Sequence, residues 1–418
     1  MRFRGRRSRQ DLAALGALAL LAVAAAPSAV AAPRLGAGST ATPPRIYAVI
    51  SANGSGCVKP SQEKVTIASA AQKVLSPALA WQLTEGDGVK VAVLDTGFAN
   101  TGSGQLAGAV TLGPDEVSQG HTGTDCVGHG TFVAGLIAAR PAAGTTVVGI
   151  APKAHIYAVA VTDSQGATSP AVLAAGITAA VNAGVKIIDV SVTSSQSSSA
   201  LVKSIAYAKA HSVLVIAPNA ADDQNVKGAV YPGSLPGVLS VGDTLNQSST
   251  SSGTAGSATA SSAPADLRAP GDAVLSVGPG GGAFIGSGAA YSAALVAGTA
   301  ALMDAYHPGL SLAQRTNRLM TTAYPSTTDS SGTGGVVDPY AAVATILPDE
   351  YHSSANNVPA PTPVRPLPPS TASDGLRTGW AVVGVGLVVL LLALGVAVTV
   401  RRGRERHWRP EGIVDGVD

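Results

Sequence analysis

Charged side chains are scarce in this 418-residue sequence, at 12% against a hydrophobic content of 46%, which excludes a disordered or polyelectrolyte chain. The formal net charge of +2 comes largely from Arg clusters at the two extremes. The body therefore lacks the basic surplus that a nucleic-acid partner would need. Cysteine is nearly absent: Cys57 and Cys126 alone make a poor metal site. No run of carboxylates has the spacing of a calcium loop, and Asp115-Glu116 and Asp222-Asp223 read as solvated loop charges, so no cofactor is expected from the residues themselves.

The two ends are distinctive. Arg2, Arg4, Arg6, Arg7 and Arg9 precede an apolar run from Leu12 to Ala26 and the small residues Ala29-Val30-Ala31-Ala32, the order of a secretory signal peptide over residues 1–32. An uncleaved N-terminal anchor is the alternative. Near the other end Gly379 to Val400 carries no charge, with Trp380 at one edge and Arg401, Arg402, Arg404 and Arg406 beyond the other. This predicts one transmembrane helix over 378–400 and a basic tail over 401–418. The positive-inside rule puts that tail in the cytoplasm and the body of the chain outside, on a single-pass protein of the cell membrane. In an oxidising exterior Cys57 and Cys126 are expected to form one disulfide, worth about 4 kcal/mol by loop entropy, with a free-thiol nucleophile as the alternative.

Between the ends, residues 33–75 read as an N-terminal extension, 76–349 as the main domain and 350–377 as a Pro-rich spacer. Short β-branched runs at Val89–Leu94, Ile156–Val161, Val185–Val192, Val213–Ala217 and Val238–Val241 predict buried strands. Ala-rich stretches at Ala171–Asn182, Leu201–Ala210 and Ala290–Tyr306 predict helices between and after them. The class is α/β with a mainly parallel sheet.

Two motifs carry chemistry. Val91-Ala92-Val93-Leu94-Asp95-Thr96-Gly97 presents a carboxylate at the end of a buried strand, where α/β folds display functional groups, although an Asp there is equally a turn former. Gly128-His129-Gly130-Thr131-Phe132-Val133-Ala134-Gly135 places an imidazole between glycines at the mouth of a helix, open to close backbone approach as a general base requires.

Asp-Thr-Gly followed by Gly-His-Gly-Thr-x-Val-Ala-Gly resembles the subtilisin family, over roughly residues 80–345. Gly149-Ile150-Ala151-Pro152, Ile187-Ile188-Asp189-Val190-Ser191, Ala269-Pro270-Gly271 and Gly335-Val336-Val337-Asp338-Pro339, with the Pro-rich spacer and terminal span, are similar to the mycosins, membrane-anchored subtilisin-like proteases attached to type VII secretion systems. The resemblance implies a subtilisin-like three-layer domain, a catalytic Asp95 and His129, an extended peptide or protein substrate in a cleft, and a type VII secretion membrane complex as partner. Calcium enters only through that resemblance.

The third catalytic element departs from the family. The helix that should open Gly-Thr-Ser reads Gly288-Ala289-Ala290, so Ala290 stands at the nucleophile position, and Ala294 replaces a proline. Ser292 lies about 200° further round a helix of 3.6 residues per turn, and Ser287 precedes the helix. These are the two candidate substitutes. Asn219 is the candidate oxyanion donor, in Ala217-Pro218-Asn219 where the family has Ala-Gly-Asn, though after a proline it also suits a turn. Loss of the serine in such an enzyme costs about 10⁶ in turnover, leaving roughly 10³ to 10⁴ over water. The resemblance with this gap implies a mycosin-like pseudoprotease that binds or scaffolds. The alternatives are an active serine endopeptidase using Ser287 or Ser292, and a cell-surface peptide-binding module.

Overall fold

The computed structural model describes residues 42–47, 57–99, 104–118, 120, 122–222, 228–244, 264–325, 334–351, 387–388 and 391–403. Up to the Asp-Thr-Gly motif it runs through helix α1 (Ala70–Leu75), a 3₁₀ turn and strand β1 (Lys90–Asp95). Then follow β2 (Val110–Asp115), α2 (His129–Ala138), β3 (His155–Ala160), α3 (Pro170–Asn182), β4 (Ile187–Val190), α4 (Ser199–Ala210), β5 (Leu214–Pro218), β6 (Val238–Asp243) and β7 (Leu267–Ala269). The remainder comprises β8 (Val274–Val277), β9 (Ala283–Gly286), α5 (Ala289–Tyr306), α6 (Leu312–Thr321), β10 (Gly335–Val336), α7 (Pro339–Ala344) and α8 (Pro348–Tyr351). The strands and helices read from sequence fall within two residues of β1, β3, β4, β5, β6, α3, α4 and α5.

Eight strands form one sheet in the order β10-β7-β6-β5-β4-β1-β3-β2, and every pairing in it is parallel. A parallel strand needs cover on both faces, which is why these strands are near-continuous in apolar residues. Along β1, Val91 and Val93 join the core under α2 and α5, while Ala92 and Leu94 join the one under α3 and α4. The period of two repeats in β3, β4 and β5, giving three layers. Residues 289–304 of α5 are buried throughout, so this helix lies wholly inside the domain and its small side chains let neighbours close on it. The chain turns from one side of β1, where β3 pairs, to the other, where β4 pairs. Such a reversal in strand order leaves a crevice at the strands' C-terminal ends.

The short β8–β9 hairpin is antiparallel and lies outside the main sheet. It receives part of the N-terminal extension: the Ile46 N–H donates to the Ile285 carbonyl at 2.9 Å, and the Ile285 N–H to the Pro44 carbonyl at 3.0 Å. Helix α6 went unread in the sequence because its buried face is cationic. Arg315 is ion-paired with Asp304, and Arg318 with Glu350, while Arg318 Nη1 also donates to the Ala342 and Thr345 carbonyls at 2.9 Å. Buried guanidinium groups with several acceptors each replace the apolar stripe by which a helix is usually found.

The chain divides into two units, residues 1–353 and 354–418. In the second unit, residues 387–388 and 391–403 are helical; the rest of the span expected over 378–400 and the expected signal peptide over 1–32 lie outside the described residues. Among the described residues no helix is long and apolar enough to cross a membrane.

Cys57 and Cys126 form a disulfide across 69 residues of sequence, beside the bond from the Val58 N–H to the Cys126 carbonyl. Replacing both cysteines with serine is expected to lower the free energy of unfolding by about 4 kcal/mol through the entropy returned to the unfolded chain, measured by urea denaturation. An unchanged midpoint would deny the bond a role in stability.

Candidate active site

The alternation that turns Val91 and Val93 toward α2 and α5 turns Asp95 the same way, at the C-terminal end of β1. His129 is the first residue of α2, and its ring Nδ1 donates to Asp95 Oδ1 and Oδ2 at 2.8 and 2.9 Å. Both side chains are fully buried. The Thr96 N–H donates to Asp95 Oδ1 at 2.6 Å, fixing the carboxylate on its own strand end.

The glycines around His129 have separate reasons. Gly128 caps α2 with φ +82°, in the left-handed region. A Cβ on Gly130 would stand 2.2 Å from the Gly97 carbonyl oxygen, so only glycine lets the helix start touch the turn after β1. Asp125 ties these pieces together. It accepts from Thr96 Oγ1 at 2.8 Å, the Gly128 N–H at 2.7 Å, the Thr131 N–H at 2.8 Å and Thr131 Oγ1 at 2.6 Å. Burial raises its pKa, and these bonds oppose the rise. Sequence reading passed over Asp125, although a carboxylate three residues before a helix cap is a recognisable turn signal.

Asp222, read from sequence as a solvated loop charge, is instead buried against His129. Its Oδ2 lies 3.9 Å from His129 Nε2, beyond hydrogen-bond reach, and its side chain is 9% exposed. Neither atom has a hydrogen-bond partner among the described residues. Asp222 Oδ1 accepts from the Ala290 N–H at 3.4 Å. The available signal was the one that marked Asp95, a carboxylate just past the end of a buried parallel strand: β5 ends at Pro218.

Ala290 sits beside this pair, 1% exposed, in the first turn of α5. Neither candidate serine is bonded to the imidazole. Ser292 Oγ donates to the Ala269 carbonyl at 2.8 Å in full burial, turned toward β7, and Ser287 Oγ accepts from the Ala273 N–H at 3.0 Å. Asn219 follows β5 directly and its N–H donates to the Val241 carbonyl at 2.8 Å. Its Oδ1 lies against Gly242, where an added Cβ would come within 3.3 Å of it, so that side chain rests against β6. Tyr291, also missed, stacks its ring 5.0 Å from that of His129. Among the described residues no group of three or more His, Cys, Asp or Glu is disposed to hold a metal.

The electrostatics favour the charged form of the imidazole. Burial by itself lowers the His129 pKa, but the Asp95 carboxylate and behind it Asp222 outweigh this and push it up to about 10. A general base works best with a pKa near the operating pH, and the carboxylates move His129 away from it toward the protonated form. Beneath it, on β4, Asp189 is fully buried with its Oδ2 accepting from Ser191 Oγ at 2.7 Å. Burial first, and the charge of Asp95 in addition, raise its pKa to about 8 against the Ser191 bond and His129.

Both shifts have the same sign for stability. His129 titrates at 6.5 unfolded and about 10 folded, so its contribution is complete below pH 6.5 and is lost as pH rises to about 10. Asp189 loses its own between 3.8 and about 8. Stability against urea is therefore expected to fall as pH rises from about 4 to about 10, by several kcal/mol in all. Between pH 8 and about 10 the remaining slope belongs chiefly to His129, and it should shrink in His129→Gln; a slope left unchanged by that substitution would assign it to another group.

Comparison with known proteins follows the same geometry. Residues 86–343 match the subtilase family. Thermitase of Thermoactinomyces vulgaris is 34% identical over 233 residues, covering 56% of this chain and 80% of its own. Subtilisin Savinase of Lederbergia lenta is 34% identical over 254 residues, covering 60% and 89%. Among solved structures, MycP1 from Mycobacterium smegmatis superposes with a TM-score of 0.58 at 25% identity, covering 78% of this chain and 94% of its own. MycP3, a protease from the type VII (ESX-3) secretion system, gives 0.56 at 28%, covering 73% and 97%. With more than half its length matched and the Asp95–His129 pair in place on the sheet, the chain belongs to the subtilase family.

Proposed function

We propose that this chain is a mycosin-like subtilase that no longer turns over peptides, and that its domain binds or braces a partner at a type VII secretion membrane complex. One observation carries the reading: the nucleophile position holds Ala290, and the side chain that faces His129 Nε2, at 3.9 Å, is the Asp222 carboxyl, which also accepts from the Ala290 N–H. A serine nucleophile must reach the imidazole to lose its proton. His129 Nε2 has no hydrogen-bond partner among the described residues, and the hydroxyls of Ser287 and Ser292 are engaged elsewhere. The type VII partner rests on likeness to MycP1 and MycP3. Export and anchoring rest on the sequence of residues 1–32 and 378–400.

The full-length chain is expected to resist labelling by a fluorophosphonate serine-hydrolase probe, at a rate at least about 10³ below that of an active subtilase. Labelling that disappears in His129→Ala and in either Ser287→Ala or Ser292→Ala would overturn the reading and name the nucleophile. Anchoring has its own measurement. A chain stopped after Arg377 should leave the membrane fraction and appear in the medium, whereas retention of that truncated chain in the membrane would place the anchor at the other end.

A further inference from the structure

Helix α5 is eighteen residues long and lacks a cap of its own: Gly288 at its N-cap has no side chain, and no acidic residue lies in its first turn. The positive end of a buried helix attracts an anion. Asp222 supplies one from a different segment. Its Oδ1 accepts from the Ala290 N–H, and its carboxyl group lies over the Gly288 backbone so closely that an added Cβ would stand 2.3 to 2.5 Å from all three carboxyl atoms. Its other oxygen faces His129 Nε2. That position, between a helix N-terminal N–H and the outer nitrogen of an imidazole, is where acyl transfer develops negative charge on oxygen. His129 Nε2 and Asp222 Oδ2, both buried and without hydrogen-bond partners among the described residues, face each other there across 3.9 Å.

We propose that Asp222 is a tethered carboxylate ligand occupying the reacting centre's own anion site, standing in for an oxyanion on the α5 N-terminus and holding the imidazole between two carboxylates. This deepens the non-hydrolytic reading above and rests on it. The centre then lacks a hydroxyl at position 290 and also holds Asp222 on its anion site, so restoring a hydroxyl at position 290 does not by itself restore the chemistry. With the tether cut, the same site takes a small free carboxylate.

The titratable groups facing the imidazole are Asp95 from β1, Asp189 from β4, Asp222 from the segment after β5 and the Tyr291 phenol from α5, with Asp125 and Arg45 acting on Tyr291. Asp95 meets Nδ1 and Asp222 faces Nε2. The test is the titration of the His129 ring by NMR in the full-length chain carrying isotope-labelled histidine, with and without Asp222→Ala, and with formate as the added anion. The variant is expected to titrate at least about one pH unit lower, a tenfold change in proton affinity, and formate is expected to reverse the shift in a saturable way. An unchanged titration would overturn the proposal, since Asp95 alone would then hold the proton, and so would a shift that formate leaves untouched.

Should Asp222→Ala fail to fold, the near-isosteric Asp222→Asn carries the titration. A second readout uses Ala290→Ser with and without Asp222→Asn. In the fluorophosphonate reaction, run on the alkaline side where part of His129 is neutral, the introduced hydroxyl oxygen bonds to phosphorus, fluoride leaves, and the hydroxyl proton passes to Nε2 of the neutral imidazole. The double variant is expected to label at least tenfold faster than Ala290→Ser alone; equal rates would overturn the proposal. Labelling of the unaltered chain would count against the non-hydrolytic reading, while the ring titration still judges Asp222.

Discussion

Asp95 is a carboxylate removed from water, and a buried charge of that kind costs several kcal/mol unless its oxygens are met. The Thr96 N–H and the His129 ring meet them, and each demands its own geometry. The ring reaches the strand end only because Gly130 lets α2 start against the Gly97 carbonyl, and the turn before it is held by Asp125 through Thr96 and Thr131. Three-layer packing completes the constraint, because β1 ends under α2 and α5 with its other face covered by α3 and α4. Strand, turn and helix are thus fixed relative to one another by one charge.

Much of this was legible in the sequence. The near-continuous apolar runs of β1, β3, β4, β5 and β6 are what a strand covered on both faces requires, and the Ala-rich helices between them fit a crowded interior. Glycines flanking His129 announced the close approach that the structure contains. Strand β2 was not readable, because Val110-Thr111-Leu112-Gly113-Pro114-Asp115 at the sheet edge is only partly buried and carries a proline and a glycine. Helix α6 buries arginines where an apolar stripe was sought. Asp222 was misread for a related reason: composition alone makes a charge after a strand look solvated, and only the fold brings the end of β5 level with the starts of α2 and α5.

The departure at Ala290 was visible residue by residue, but its setting was not. The subtilisin resemblance puts the nucleophile in the first turn of α5, and here that turn is buried: Ala290 and Tyr291 are each 1% exposed and Ser292 is bonded back to β7. A methyl in place of a hydroxyl leaves the helix dipole as it was. The positive end still faces a fully buried imidazolium, an arrangement that repels itself in low dielectric. Asp222 resolves that conflict by placing negative charge between the two, so the carboxylate and the missing hydroxyl belong to one electrostatic arrangement.

Retention of Asp95 and His129 therefore says little about catalysis. Removing one member of a buried ion pair commonly costs 3 to 5 kcal/mol, by leaving the other charged and alone, whatever the pair once did. With carboxylates on both sides of the imidazole, the stretch from β1 through His129 to α5 is a structural link whose loss would be felt as stability before it could be felt as activity. In a chain so built, two matching members of a triad report the packing of the domain, and only the group at His129 Nε2 reports its chemistry. Here that group is the Asp222 carboxyl, and among the described residues no hydroxyl is bonded to the imidazole.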